Sequence, residues 1–336
     1  MKNRIFIIAE AGVNHNGSIK NALKLVKIAK DCGADAVKFQ LFDKFEQISR
    51  RAPTSPYQNK NTQKKYMLEM ANNYDLDWKY HIKIKKYSEK LKIEYMASVF
   101  DKKSTDFYLK KIKAKIIKIA SSEIDNYQLL KYINLKAKKV ILSTGMASVS
   151  EIDKAVNLLK KIKNISILQC TSCYPTKHSD VNLSFMNFLK NKYSKDVGLS
   201  DHTLDDVSSI AAVGMGAKII EKHFTINRKF KGPDHLMSLN PKDLKKFIKN
   251  IRIAEQIIGS EKNKPTFSEK KLIKYTRRGL VAACEIKKGK ILRKKNINFK
   301  RPAFNYMIKD IKKIIGRKLI RNIKIDEVFT NKHFNK

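Results

Sequence analysis

Cysteine is scarce in this chain: four among 336 residues, at positions 32, 170, 173 and 284. So few thiols exclude a fold built on disulfides and suit a reducing compartment, which makes a cytoplasmic protein the expectation. Cys170 and Cys173 have the spacing of half a zinc site, but a second ligand pair is missing and they close a strand rather than open a helix. Long apolar runs are also lacking. Ile5-Phe6-Ile7-Ile8 is cut short by Glu10, too early for a secretory signal, and no run of about 18 apolar residues exists to span a membrane. Acidic residues number 31 against 72 basic ones, a formal net charge of +41. Arginine is the minor cation, 11 of those 72, leaving 61 lysines dispersed over nearly every expected helix. Proteins that bind nucleic acid gather arginine and aromatic platforms on one face. The dispersed charge therefore predicts attraction for small anions without a specific nucleic-acid partner. No glycine-rich loop follows the first strand, which counts against a doubly wound dinucleotide-binding sheet.

What the chain does have is a unit repeated through its first 260 residues: a short apolar strand, a turn and an amphipathic helix. Strands are expected at 5–9, 36–39, 93–97, 116–119, 139–142 and 165–168. Two more end in the His-bearing words Gly198-Leu199-Ser200-Asp201-His202-Thr203 and Glu221-Lys222-His223-Phe224. The first helix opens at Ser18 and stops at Gly33; the last runs over 241–258. Between the two His-bearing strands, Val207, Ile210, Ala211 and Gly214 mark the expected apolar helix face. The stretch 43–77 is too long for an ordinary strand-to-helix connection and is expected to be functional. Eight strands, each followed by a helix, within about 250 residues is the arithmetic of a (β/α)8 TIM barrel. Residues 1–259 are accordingly read as an α/β catalytic domain, 260–275 as a linker, and 276–336 as a small, mostly β domain. In that last domain a hairpin is expected to turn at Lys287-Lys288-Gly289-Lys290, with one short helix at 308–315.

A barrel of this kind carries its chemistry at the C-terminal ends of its strands. Polar residues gather there: Glu10, Lys38, Gln40, Ser98, Lys118 with Ser121 and Glu123, Ser143, Ser172, Ser200 with His202, and His223. Lys38 and Lys118, read as lying on adjacent strands, suit with the surrounding serines an anionic substrate bearing phosphate and carboxylate groups. A barrel lysine can also form a Schiff base. His202 and His223, at neighbouring strand ends, offer a divalent metal site instead, and a Lewis acid makes an imine unnecessary. Metal there would polarise an aldehyde oxygen, with Glu10, Glu123 and Asp234 available as acids, bases or partners of sugar hydroxyls.

Several distinctive words stand in order over nearly the whole chain: residues 8–17, 33–40, 142–147, 198–203 and 221–225, then Gly232-Pro233-Asp234-His235 and Lys300-Arg301-Pro302. They resemble the sialic acid synthase family, phosphoenolpyruvate-condensing enzymes of nonulosonic acid synthesis that end in an antifreeze-like (SAF) domain. The resemblance implies that His202 and His223 hold Mn2+, with Mg2+ or Co2+ as alternatives. It implies that Lys38, Ser98, Lys118, Ser121, Ser143, Ser172 and Ser200 bind phosphoenolpyruvate. Glu10 and Glu123 join the histidines in catalysis, and Gln40, Tyr174 and Asp234 contact the sugar. Arg301 is similar to a residue supplied to the partner subunit's site in a homodimer, where it meets the N-acyl group. In the implied reaction, C3 of phosphoenolpyruvate joins the aldehyde carbon of an open-chain N-acetylmannosamine-type sugar, water enters at C2 and phosphate leaves. The product is N-acetylneuraminate or N,N'-diacetyllegionaminate; residues 52–58 and the Gly232 to His235 word lean toward the second, and pseudaminate synthases usually lack that word. The chain departs from the family pattern at Ala97-Ser98-Val99-Phe100, at Ser122, and at Ala303-Phe304-Asn305-Tyr306, where a glycine-rich turn is usual. A catalytically silent sugar-binding relative and a basic nucleic-acid binder are the readings from other classes. The intact His pair, Lys pair and Glu10 argue against both.

Overall fold

A computed structural model describes residues 4–260 and 264–335, and the chain divides into two compact units, Met1–Gly259 and Ser260–Lys336. In the first unit eight parallel strands close into a barrel in sequence order. The chain enters by β1 (Phe6–Gly12) and α1 (Ile19–Cys32), which starts where the Ser18 hydroxyl accepts the Asn21 amide. After β2 (Ala36–Leu41) comes the long excursion, which is helical: α2 (Lys44–Gln47), α3 (Pro56–Thr62) and α4 (Met67–Tyr74). Then follow α5 (Trp78–Lys90), β3 (Glu94–Val99), α6 (Lys102–Asp106) and a π-helical turn, Phe107–Lys111. β4 (Ile117–Ile119), α7 (Tyr127–Lys136), β5 (Lys139–Ser143) and α8 (Val149–Leu158) continue the alternation. β6 (Asn164–Cys170), α9 (Ser184–Tyr193), β7 (Asp196–Asp201), α10 (Val207–Gly214), β8 (Ile219–His223) and α11 (Pro241–Ile258) complete it. No helix among the described residues is long and apolar enough to cross a membrane.

Several strands run past their expected ends, because a polar side chain aimed into the barrel mouth does not interrupt backbone pairing. Side chains alternate along each strand, so the barrel fills in layers. The lower layer, Ile8, Ala36, Met96, Ile116, Ile141, Leu168 and Ile219, is an apolar plug. Burying each large aliphatic of that plug contributes about 1.5–3 kcal/mol. On β7 the corresponding place is Gly198, where a Cβ would stand 2.1 Å from the Ile219 carbonyl oxygen and 2.8 Å from Leu168 Cδ2. Only glycine fits. One inward position higher come Glu10, Lys38, Ser98, Lys118, Ser143, Cys170, Ser200 and Glu221, all lining a single cavity.

The ladder between β3 and β4 is short, pairing only Ala97 with Ile117 and Ser98 with Lys118. Tyr108, from the π turn, closes the gap: its hydroxyl accepts the Ala97 amide at 3.0 Å and donates to the Ile116 carbonyl at 2.8 Å. Lys38 and Lys118 are therefore not on adjacent strands, since β3 lies between β2 and β4. The expected face of α10 is also corrected. Ser208, Ser209, Ala212 and Val213 are buried while Val207 is exposed, because Ser209 Oγ turns inward to donate to Asp201 Oδ2 at 2.6 Å.

In the second unit the segment read as a linker carries α12 (Phe267–Thr276), started by a capping box between Thr266 and Glu269. β9 (Gly279–Ala282) pairs antiparallel with β10 (Ile297–Lys300). The expected hairpin at Gly289 is a turn whose arms do not pair with each other: Ile286 bridges Ile323 and Ile291 bridges Lys318. Both arms find partners in a later segment, which no local pattern announces. The short helix is a 3-10 segment, Ile308–Lys313. Leu280, Ile297, Leu319, Ile323 and Phe329 belong to a separate small core.

Candidate active site

The cavity at the C-terminal mouth of the barrel measures about 530 Å³ and draws on all eight strand ends. Of the residues expected there, Glu10, Lys38, Gln40, Ser98, Lys118, Ser121, Ser143, Ser172, Tyr174, Ser200, His202, His223 and Asp234 line it. Glu123 does not: it sits in a 3-10 turn, and its carboxylate accepts the Ser122 hydroxyl at 3.1 Å and Asn126 Nδ2 at 2.9 Å. Arg301 lies in the second unit, just after β10.

The floor is a buried charge cluster. Lys38 Nζ lies 2.8 Å from Glu10 Oε2 and 3.8 Å from Glu221 Oε1, and donates to Ser98 Oγ at 3.0 Å. Lys118 Nζ lies 3.6 Å from the same Glu221 oxygen and donates to Ser143 Oγ at 2.7 Å. Burial opposes the ammonium of Lys38, but Glu10 and Glu221 outweigh it and raise its pKa. Lys118 is lowered, by burial and by Lys38, against the pull of Glu221. Burial likewise opposes the Glu221 carboxylate, yet Lys118 and Lys38 hold it below its ordinary value. Glu10 is pushed upward, foremost by burial and then by Glu221, against Lys38. Two lysines thus stand among two carboxylates, of which Glu221 is the one held ionised, within a ring of hydroxyls. That arrangement favours an incoming anion.

His202 and His223 face each other above this floor, ring centroids 5.6 Å apart, with Tyr174 packed at 4.1 Å from the first and 5.9 Å from the second. His202 Nδ1 donates to the Thr171 carbonyl at 2.8 Å, so that in the neutral ring Nε2 carries the free lone pair. Burial opposes charge on His202, but Cys170 beside it and the Thr171 carbonyl raise its pKa. Cys170, against its own burial, is lowered to about 7 by the same imidazole. His223 is held well below its ordinary value, by burial and by His202, and is neutral; its buried Nδ1 has no hydrogen-bond partner. Two imidazole lone pairs, one of them an orphaned buried atom, are the donor set of a divalent transition metal. No group of three His, Cys, Asp or Glu side chains poised for a metal occurs among the described residues. A bound ion would therefore keep most of its positions for water and substrate.

Asp234 closes one side, raised to about 6 by burial. Its Oδ2, Glu10 Oε1 and His223 Cε1 all come within 3.4–3.7 Å of where a Cβ on Gly12 would be. The helical excursion forms the outer wall with Ile48, Tyr57, Met67, Met70 and Tyr74, and Asn61 Nδ2 ties it to the Pro233 carbonyl at 2.8 Å. Tyr57 stacks on Tyr174 at 5.3 Å. Glu221 and Tyr57 line the cavity with no role assigned to them in the sequence reading. Glu221 follows from alternation, two residues before His223. Tyr57 carries no such signal. All four cysteines are free, with Cys170 buried in the cavity wall and Cys173 exposed.

Fold and cleft together define a (β/α)8-barrel protein whose site joins two imidazoles, two buried lysines and a ring of hydroxyls. The chain belongs to the NeuB family, whose model matches residues 25–263, and it ends in a SAF domain matched over 277–335. It is 42% identical to the N,N'-diacetyllegionaminic acid synthase of Campylobacter jejuni serotype O:2, over 97% of this chain and 98% of that one. It is 37% identical to the protein of the same name from Legionella pneumophila, over 95% and 91%. Among solved structures it is similar to the N-acetylneuraminic acid (sialic acid) synthetase of Leptospira borgpetersenii in complex with citrate. There the TM-score is 0.72 at 37% identity, covering 81% of this chain and 90% of that one.

Proposed function

We propose that the protein is a metal-dependent nonulosonic acid synthase, condensing phosphoenolpyruvate with an open-chain N-acetylmannosamine-type sugar and releasing phosphate. The observation that carries this reading is one cavity holding two imidazole lone pairs opposite two buried, hydroxyl-flanked lysines. Lys38 and Lys118 take the carboxylate and phosphate of phosphoenolpyruvate, with Ser98, Ser121, Ser143, Ser172 and Ser200 as hydrogen-bond donors. Gln40, Tyr174 and Asp234 hold the sugar. His202 and His223 would hold a divalent ion, Mn2+ foremost, whose chemistry is to polarise the sugar aldehyde. Glu10, with its pKa raised, keeps a proton beside the reacting centre. It gives that proton to the aldehyde oxygen as C3 of phosphoenolpyruvate bonds to the aldehyde carbon. It recovers one from the water that adds at C2; breakage of the bond between C2 and the phosphate oxygen then expels phosphate, which takes the proton of the new C2 hydroxyl and leaves the ketone.

The names of the two synthase relatives favour N,N'-diacetyllegionaminate over N-acetylneuraminate as product. Two further parts of the reading rest on the family: a homodimer in which Arg301 serves the partner's site, and a cytoplasmic location. Mixing His202→Ala and Arg301→Ala chains should restore activity that neither variant has alone. The primary test is phosphate release from phosphoenolpyruvate with Mn2+ and an EDTA control, each sugar offered separately. Metal-dependent release with the diacetamido-trideoxy sugar identifies a legionaminate synthase, and release with N-acetylmannosamine a neuraminate synthase. Silence with both, and with the pseudaminate precursor, overturns the reading.

A further inference from the structure

Behind the two imidazoles lies a buried ion pair that the reaction above does not use. Alternation sends Ser200, His202, Glu221 and His223 into the cavity, while Asp201 and Lys222 do not line it. Each of that pair is only 2% exposed. Lys222 Nζ lies 2.9 Å from Asp201 Oδ2. It donates to the Thr203 carbonyl at 2.6 Å, to Thr203 Oγ1 at 3.1 Å and to the Asp205 carbonyl at 2.9 Å. Asp201 Oδ1 accepts both the amide and the hydroxyl of Thr203, each at 2.8 Å, and Oδ2 also accepts Ser209 of α10. The ammonium stands 5.9 Å over the Phe247 ring of α11. Every polar atom in this network has a partner, the condition under which a buried charge pair is tolerated.

Its place along the strands gives it a function. The ladder between β7 and β8 ends at the pair Asp201 with Lys222. His202 is one residue past that last rung, so no ladder bond to β8 fixes it. From there Lys222, the residue before His223, grips Thr203, the residue after His202. We propose that the Lys222–Asp201 pair, acting with Thr203, is a positioning device of the two-imidazole site: it holds the chain that carries His202 and His223 at the separation one divalent cation needs, while the Thr171 carbonyl aims the His202 ring. The inference rests on the metal reading of those histidines. Lys222 and Asp201 are positioning residues: neither reaches the cavity.

A purely structural pair would show up in stability and not in metal affinity. The decisive variant is Asp201→Asn with Lys222→Met, which removes both charges and leaves none buried alone. Mn2+ binding is measured calorimetrically on the full chain, phosphoenolpyruvate binding separately in EDTA, and folding by circular dichroism and thermal melting. Wild type is expected to bind one Mn2+, with binding abolished in His202→Ala. The folded double variant should bind Mn2+ about 10- to 100-fold more weakly, with phosphoenolpyruvate affinity changed by less than about threefold. Lys222→Arg should recover most of the loss. If the double variant does not melt cooperatively, Thr203→Val decides, with a loss of a few fold in Mn2+ affinity alone. Mn2+ affinity unchanged in the folded variant, or weakened only in step with phosphoenolpyruvate, overturns the inference while leaving the metal site standing. Absence of Mn2+ binding in the wild type overturns both.

Discussion

A single methyl group placed at Gly145 tests the anion-binding half of the site. The Gly145 amide donates to Ser121 Oγ at 3.0 Å. A Cβ there would stand 2.3 Å from Ser172 Oγ, 2.9 Å from Ser121 Oγ and 3.1 Å from Cys170 Sγ. The first two separations are far inside van der Waals contact, so in Gly145→Ala Ser172 has to swing about χ1 and Ser121 has to retreat. Overpacking of this kind costs about 1–3 kcal/mol of stability, which in a domain of this size lowers Tm by about 2–10 °C. The larger effect falls on binding, because both displaced hydroxyls belong to the proposed phosphoenolpyruvate set. Hydrogen bonds to a charged ligand are worth about 1.5–3 kcal/mol each. With about half recovered by relaxation, about 1.5–3 kcal/mol is lost, or about 10- to 150-fold in kcat/KM for phosphoenolpyruvate. Steady-state phosphate release with phosphoenolpyruvate varied should show the loss, while KM for the sugar moves little. Adding Ser172→Ala removes the closest clash, so the double variant should regain Tm without regaining phosphoenolpyruvate affinity. A Gly145→Ala enzyme whose kcat/KM stays within about threefold of wild type refutes the reasoning.

Three further outcomes follow from the same geometry. Burial takes His81 from its ordinary 6.5 down to about 4, with Nδ1 held 2.8 Å from the Tyr95 hydroxyl. The unfolded chain therefore binds the extra proton, so this contribution to stability is whole above about pH 6.5 and is lost as pH falls toward about 4. By about pH 5 the loss is about 2 kcal/mol, and the stability gap between wild type and His81→Asn in urea titrations should narrow by that much from about pH 8. A gap that does not change with pH counts against the assignment. Tyr108→Phe leaves the Ala97 amide and Ile116 carbonyl buried without their bridge, at about 1–3 kcal/mol each. It should lower Tm in calorimetry and raise KM for phosphoenolpyruvate through the neighbouring Ser98 and Lys118; a drop in Tm with KM untouched confines Tyr108 to stability. Lys118→Met should weaken phosphoenolpyruvate binding by more than about 30-fold, since it removes one partner of a buried charged contact. Calorimetric affinity near that of wild type would clear Lys118 of an anion-binding role.

The barrel and most of its cavity wall were legible in the sequence because the signals involved are local. Strand–turn–helix alternation counts the strands, and the period of two along each strand says which residues share a side. Glu10, Lys38, Ser98, Lys118, Ser143, Ser200, His202 and His223 all stand at strand ends, and the structure brings them to one cavity. The same rule, carried back from His223, reaches Glu221. Periodicity reports only how a side chain points from its own element; it does not say which distant group will meet it. A local 3-10 turn took Glu123 onto its near neighbours Ser122 and Asn126, while tertiary structure alone set β3 between the two lysine strands and folded the excursion into helices that bring Tyr57 to Tyr174. It also overrode the apolar pattern of α10, burying Ser209 because the carboxylate of Asp201, already out of water, had to be satisfied. Apolar burial depends on pattern and is read along the chain. Buried polar groups must find specific partners, and for Asp201, Lys222, Thr203 and Ser209 those partners lie on two strands, a loop and a helix that meet only in the folded barrel.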